Sequence, residues 1–192
     1  MKAYRPKILF RALLLIGTNL MSLAEVPQGW IRAGSKPKDY EMSLDSSILH
    51  GGRHSACLKS TVSNPNGFGT LMQQFDAENF RGKRVRLSGF VRSHEVTGWA
   101  GLWMRVDGKD RKVLAFDNMY RRAIKGTSDW RNYEVVLDVP DTSEVISFGL
   151  LLDGAGQVWM DDLKFEAVGE DVGTTDGKPS VVLPKSPKLE IP

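Results

Sequence analysis

Cysteine is almost missing from this chain: Cys57 is the only one in 192 residues. That excludes an intramolecular disulfide framework and any zinc site built from several thiolates. Long apolar runs are missing too once the first two dozen residues are passed. No later segment has the roughly 20 consecutive apolar residues that a membrane-spanning helix needs. No stretch repeats apolar residues at the 3.6-residue period of a convincing amphipathic helix. G-x-S-x-G, a phosphate-binding loop and H-E-x-x-H are all absent. There is no real excess of positive charge either. The 26 basic and 23 acidic side chains give +3, but Lys2, Arg5, Lys7 and Arg11 all precede Ala24. Without these four the balance turns slightly acidic, so the basic character is not the footprint of a nucleic-acid-binding surface.

What is present begins with a leader. Met1–Ala24 has a basic start, an apolar run of about a dozen residues interrupted by Asn19, and small residues at Ser22 and Ala24. That order is the pattern of a secretory signal peptide. The alternative is an uncleaved N-terminal anchor, with Ile8 extending the apolar stretch past Arg11. No cysteine follows the run, so a lipid anchor on cysteine is excluded. On the first reading the mature chain is exported, periplasmic or extracellular, and leaves the membrane once the leader is cut. Export removes it from a supply of ATP or reduced nicotinamide and weighs against a DNA-binding regulator. No organic cofactor and no nucleic-acid partner are expected. Cys57, between Ala56 and Leu58, suits a small buried hydrophobe; the alternative is a reactive thiol.

From Glu25 to Val168 the pattern is alternation with a period of two, broken by turn signals. Val85–Val91, Gly101–Asp107, Val113–Phe116, Trp130–Val139, Val145–Leu152 and Gln157–Ala167 read as strands. Tyr40–Leu44, Ser55–Thr61 and Gly69–Phe75 precede them. Asp107-Gly108-Lys109-Asp110 predicts a hairpin turn, and Asp76 predicts the cap of a short helical turn ending at Phe80. About eight or more regularly spaced strands indicate an all-β, antiparallel sandwich or barrel, and alternation, which buries one face of each strand, suits two packed sheets. Gly169–Pro192 changes composition: it is rich in proline, and Val181-Val182-Leu183 is its only apolar cluster. It reads as an exposed tail or linker; the alternative is that this cluster docks as an edge strand.

Two stretches carry a family resemblance. His50-Gly51-Gly52-Arg53-His54-Ser55-Ala56-Cys57-Leu58 looks like the early turn and strand of many extracellular jelly-roll modules, with Gly-Gly-Arg-His where Ser-Gly-Lys is usual. Val158-Trp159-Met160-Asp161-Asp162-Leu163-Lys164-Phe165 resembles their closing strand. Over Tyr40–Val168 the chain resembles the galactose-binding-like, carbohydrate-binding-module type of jelly roll. Gly98–Asp107 and Phe116–Met119 resemble a bacterial branch of it that brings no established ligand with it. The resemblance implies a structural calcium (Ca2+), with Asp161 at the position of the usual metal ligand. Glu41 or Asp45 would be the second carboxylate, and carbonyls near Gly51 and Gly52 the neutral ligands. The alternative is that Asp161 bonds backbone amides or Arg53.

A glycan site needs flat aromatic faces beside groups that read hydroxyls. Alternation puts Trp103 and Arg105 on the side of their strand opposite Leu102, Met104 and Val106. Asp117 and Asn118 follow the neighbouring strand and are expected to reach that surface. Trp99 and Tyr120 are further aromatic candidates, whereas Trp130 and Trp159 read as core. His50 and His54 read as solvated turn residues, and His94 beside Glu95 as a loop pair. The leading expectation is therefore a secreted, non-catalytic module that binds carbohydrate or another polar extracellular ligand. The alternative is a scaffold for a protein partner, with the tail as tether. A hydrolase using Asp117 or Glu95 ranks last, because no nucleophile–base constellation is present.

Overall fold

The computed structural model describes residues 26 and 28–177. The leader and the Val181–Leu183 cluster lie outside the described residues. Nine strands form among those described: β1 Ile31–Gly34, β2 Tyr40–Asp45, β3 Ser55–Ser60, β4 Phe68–Asp76, β5 Lys83–Gly108, β6 Val113–Asp117, β7 Ile124–Val139, β8 Ser143–Asp153 and β9 Gln157–Val168. The remaining regular elements are single 3-10 turns. The fold is all-β and antiparallel, a sandwich as alternation suggested and of the jelly-roll type that the resemblance implied.

β5 is the strand both layers share. Its first part pairs with β9 on one side and β7 on the other. Its last part, Trp99–Gly108, pairs with β8, and Met104–Asp107 with β6. One layer is thus β2-β3-β9-β5-β7 and the other β1-β4-β8-β5-β6. The expected strands Val85–Val91 and Gly101–Asp107 are the two ends of this single 26-residue strand. His94–Gly98 reads as a loop because the ladder slips there, with register shifts between Val91, Ser93, Val96 and Ala100. Such irregularities bend a strand and sharpen its twist, which carries β5 from one layer into the other. Gly98 is needed at that bend, because a Cβ there would lie 2.4 Å from the Asp153 carbonyl oxygen.

Alternation decides what lies between the layers. Met42, Leu58, Leu87, Val135 and Leu137 of one layer meet Leu71, Leu102, Met104, Ile146, Leu150 and Leu152 of the other in one buried core. The hairpin from β5 to β6 forms at the expected turn. The short turn Glu78–Phe80 forms where expected, but its N-cap is Ala77; Asp76, one residue earlier, accepts from the Glu78 amide through Oδ1 at 2.7 Å. Cys57 is buried, and burial pushes its thiol pKa up against the opposing contact from the Gln157 amide. β1 was not anticipated; it is a four-residue edge strand held by register with β4. The first part of the Pro-rich tail is bound to the sandwich. Arg84 Nη1 donates to the Glu170 and Val172 carbonyls, and the Thr175 amide donates to Val136 O at 2.9 Å.

Tyr40 locks this arrangement. Its ring is 3% exposed, and its hydroxyl donates to Gly67 O at 2.6 Å and Gly154 O at 3.1 Å. A Cβ on Gly69 would lie 2.5 Å from the ring, so glycine there is a packing requirement. Burial, and then the charge of Asp153, push the phenol up to about 12. A pKa raised on folding contributes stability that is whole below the unfolded value of about 10 and is lost as pH rises through the folded value. Denaturant melts should show wild type losing stability from pH 10 upward by a component missing in Tyr40→Phe. At neutral pH that variant should be about 1–3 kcal/mol less stable, because two carbonyls lose their donor.

Candidate functional site: the outward face of the β1-β4-β8-β5-β6 layer

Leu102, Met104 and Val106 are fully buried in the core, so Trp103 and Arg105 point to the opposite side of β5, as alternation requires. Residues directly paired across an antiparallel ladder share a face, and the register extends this one. Trp103 pairs with Gly149 and Gly149 with Met72; Arg105 pairs with Ser147 and Ser147 with Gln74. One row further along, Gly101, Leu151, Thr70 and Ala33 align. Trp103 is 8% exposed and packs with Met72 and Leu151, flanked by Ala33, Phe68 and Trp99. Its Nε1 donates to Thr70 Oγ1 at 2.7 Å, and that hydroxyl donates to Leu150 O at 2.8 Å.

The polar half of the face is equally ordered. Arg105 Nε donates to Asp107 Oδ2 at 2.9 Å, and its side chain keeps 38% of its surface exposed. Gln74 Nε2 donates to Ser147 Oγ at 3.1 Å. Phe116, paired with Arg105, and Val113, paired with Asp107, are exposed at the β6 edge. Trp99 meets Tyr120 edge-on at 5.4 Å, and Tyr120 is 68% exposed. The face therefore offers the half-buried Trp99 and the exposed Tyr120, backed by the buried Trp103 cluster, beside a partly exposed guanidinium, a carboxamide and hydroxyls. Such a surface can pack against C–H groups and read hydroxyls.

Asp117 and Asn118 take a different role from the one expected of them. Asp117 pairs with Met104, not Arg105, so it lies on the core side of β6. It is 8% exposed and is held by Arg122 Nη2 at 2.7 Å, while its Oδ1 accepts from the Met119 amide at 2.8 Å. Asn118 Oδ1 accepts from the Tyr120 amide at 3.1 Å. Both side chains build the turn that presents Tyr120, so the structure does not bring Asp117 to Trp103. In their place it brings Thr70, Gln74 and Ser147. These lay unmarked in segments legible only as strands, and no signal short of the register points to them.

The residues implied for calcium do not fit one ion. Asp161 Oδ2 accepts from the His50 and Gly51 amides at 2.9 and 3.1 Å, and Oδ1 from the Asp162 amide at 2.8 Å. Asp45 Oδ1 accepts from the Ser47 and Ile48 amides at 2.7 and 3.1 Å, and Oδ2 from Trp159 Nε1 at 2.8 Å. Their lone pairs are directed at N–H donors, and Glu41 joins neither. Among the described residues no group of three or more His, Cys, Asp or Glu side chains is placed to hold a metal. Asp161 does what the alternative reading allowed: it accepts backbone amides and pins the 50–51 turn to β9.

His50 is an exposed turn residue, as expected, and its ring rests on the second layer. It stacks on Phe90 at 3.6 Å, and its Nδ1 lies 2.6 Å from Asp162 Oδ2. Trp130 sits edge-on to it at 5.7 Å, on that layer's surface rather than in the core. Trp159 is buried, in register with Cys57 and Arg92.

The two layers and the shared strand make a jelly-roll sandwich, a fold that carbohydrate-binding modules also have. The structure is similar to the CBM22-1 xylan-binding domain of Paenibacillus barcinonensis Xyn10C, with a TM-score of 0.54, 12% identity, and coverage of 76% of this chain and 90% of that one. It is also similar to part of the enzymatically active domain of bacteriophage CBA120 tailspike protein 4, with a TM-score of 0.58, 12% identity, and coverage of 73% of this chain and 20% of that one. At those identities the likeness is one of fold alone. No family model matches the chain. In sequence it is similar to an uncharacterized HTH-type transcriptional regulator, YbfP, of Bacillus subtilis (strain 168), at 50% identity over 150 residues, 78% of this chain and 51% of the relative. The chain thus spans about half the length of that curated relative, and a match of this extent necessarily takes in most of the sandwich.

Two outcomes follow from these carboxylates. EDTA should leave the melting temperature unchanged, as read by circular dichroism; a drop reversed by calcium would contradict the arrangement. For Asp45, burial pushes the carboxyl up, but the bonds from Trp159, Ser47 and Ile48 outweigh it and hold the pKa below the usual range. That contribution is present above the unfolded carboxylate pKa of about 3.9 and lost as pH falls through the lower folded value. Asp45→Asn should therefore flatten the acid limb of a pH–stability curve.

Proposed function

We propose that this chain is an exported, non-catalytic module that binds carbohydrate on the outward face of the β1-β4-β8-β5-β6 layer. The observation that carries this reading is the register that aligns Trp103 with Gly149 and Met72, and Arg105 with Ser147 and Gln74, on one side of the sheet. Trp99 and Tyr120 supply ring surface for the C–H side of a sugar, held from behind by the buried Trp103. Arg105 Nη groups and the Gln74 amide take the hydroxyls, and Asp107 and Ser147 hold both side chains in place before a ligand arrives. Preorganisation of this kind lowers the entropy lost on binding. Likeness to a xylan-binding domain supports the class of ligand, and the Met1–Ala24 pattern supports export.

A second reading rests on the Bacillus relative. In it the sandwich is the ligand-recognising half of a regulator, and contact with DNA belongs to the half not shared. Among the described residues there is no helix longer than a 3-10 turn to serve as a recognition helix. The two readings share a ligand face and differ in compartment. Fractionation with N-terminal sequencing separates them: an exported chain beginning at Glu25 supports the first, a cytosolic chain retaining Met1 the second.

Binding itself is tested with soluble xylan and a panel of other glycans. Gln74→Ala should weaken binding about tenfold, the worth of one polar contact of about 1–1.5 kcal/mol, with unchanged melting; Arg105→Ala should weaken it as much and also lower the melting temperature, because the buried Asp107 loses its ion partner. Tyr120→Ala should weaken it similarly. Absence of binding across the panel would refute the assignment.

A further inference from the structure

The opposite layer carries a cavity of about 340 Å3 that the proposed glycan face does not use; its lining includes Glu41, Ser43, Asp45, Cys57, Lys59 and Gln157. The register makes Glu41, Lys59 and Gln157 one row across β2, β3 and β9, with Ser43 and Cys57 in the next. Its base and wall are fixed. Cys57 is 4% exposed. Asp45 is saturated by the Ser47 and Ile48 amides and by Trp159 Nε1.

The row above that base is not saturated. Glu41 and Lys59 face each other directly across the ladder, yet among the described residues neither forms an ion pair. Among the described residues the Gln157 amide donates only to Cys57 Sγ, at 3.0 Å, and sulfur is a weak acceptor. A carboxylate, an ammonium and a carboxamide in sequence offer an acceptor, a donor and a group that is both. An anionic ligand would meet Glu41 and Asp45, and a cation would meet Lys59. A hydroxyl both donates and accepts, so adjacent hydroxyls can satisfy the row without net charge. The volume is at the low end of ligand pockets, about the size of one ring-sized molecule. We propose that this cavity is a second binding site, on the layer opposite the glycan face, for a small neutral polyhydroxylated ligand of about one sugar ring.

The site is tested by 1H–15N NMR titration of the full chain with D-xylose, D-galactose and, as a zwitterionic contrast, glycine. One of the sugars should produce saturable shifts of the Gln157 side-chain amide and the Trp159 indole N–H. Glu41→Gln and Lys59→Met should each weaken that response at least tenfold. Gln74→Ala, on the other layer, should leave it unchanged, so loss of the glycan face and loss of this cavity give different patterns. Both cavity side chains are exposed, so the variants should melt as wild type does. No shift at these two groups up to about 50 mM sugar, far above a useful single-site affinity, would overturn the proposal. So would a response to glycine alone, or one that survives both substitutions.

Discussion

The structure depends on one strand belonging to two layers. β5 is hydrogen-bonded to β9 and β7 along its first half and to β8 and β6 along its second. It can do so only because the ladder slips repeatedly between Val91 and Ala100. A strand that bends through bulges turns its flanking sheets toward each other, and their apolar faces close on one core. Leu87 and Leu102 lie on opposite sides of that bend and are buried in the same cluster. With both inner faces committed to the core, every residue of opposite parity along β5 is exported to an outer surface. The two outer surfaces, one centred on Trp103 and the other on Trp159, are consequences of that partition.

Polar groups then stiffen each surface. On the first, Thr70 holds the Trp103 indole, Asp107 holds Arg105 and Ser147 holds Gln74. On the second, Asp45 holds the Trp159 indole and Asp161 gathers the turn at His50 and Gly51. Carboxylates that accept two or three N–H donors are structural anchors, and their saturation leaves little capacity for a hard cation. What remains free on each surface is a short row of side chains with unfilled donors and acceptors. Fold alone does not choose a ligand for such rows; their spacing and chemistry do.

Much of this was legible before any coordinates. Alternation in Leu102–Val106 assigned core and surface correctly for five consecutive residues, because side-chain direction in a strand is a local property. The Asp107–Asp110 turn and the short turn after Asp76 were legible for the same reason: each is settled within a few residues of chain. Asp117 was not. Its side is set by pairing with Met104, and its partner Arg122 lies beyond a left-handed turn at Met119. The contacts of His50 were not legible either, because the ring it stacks on, Phe90, and the carboxylate it meets, Asp162, are remote in sequence.

The sequence by itself determined the class of fold, the identity of most strands and the face on which Trp103 and Arg105 stand, since a period of two and turn chemistry act over short range. Only the tertiary structure decided which strands are neighbours. With that it decided that Gln74 and Ser147 complete one surface, that Glu41, Lys59 and Gln157 complete another, and that Asp45 and Asp161 are spent on amides and an indole. Register and pairing are long-range quantities, governed by the closure of a common core rather than by any window of the chain.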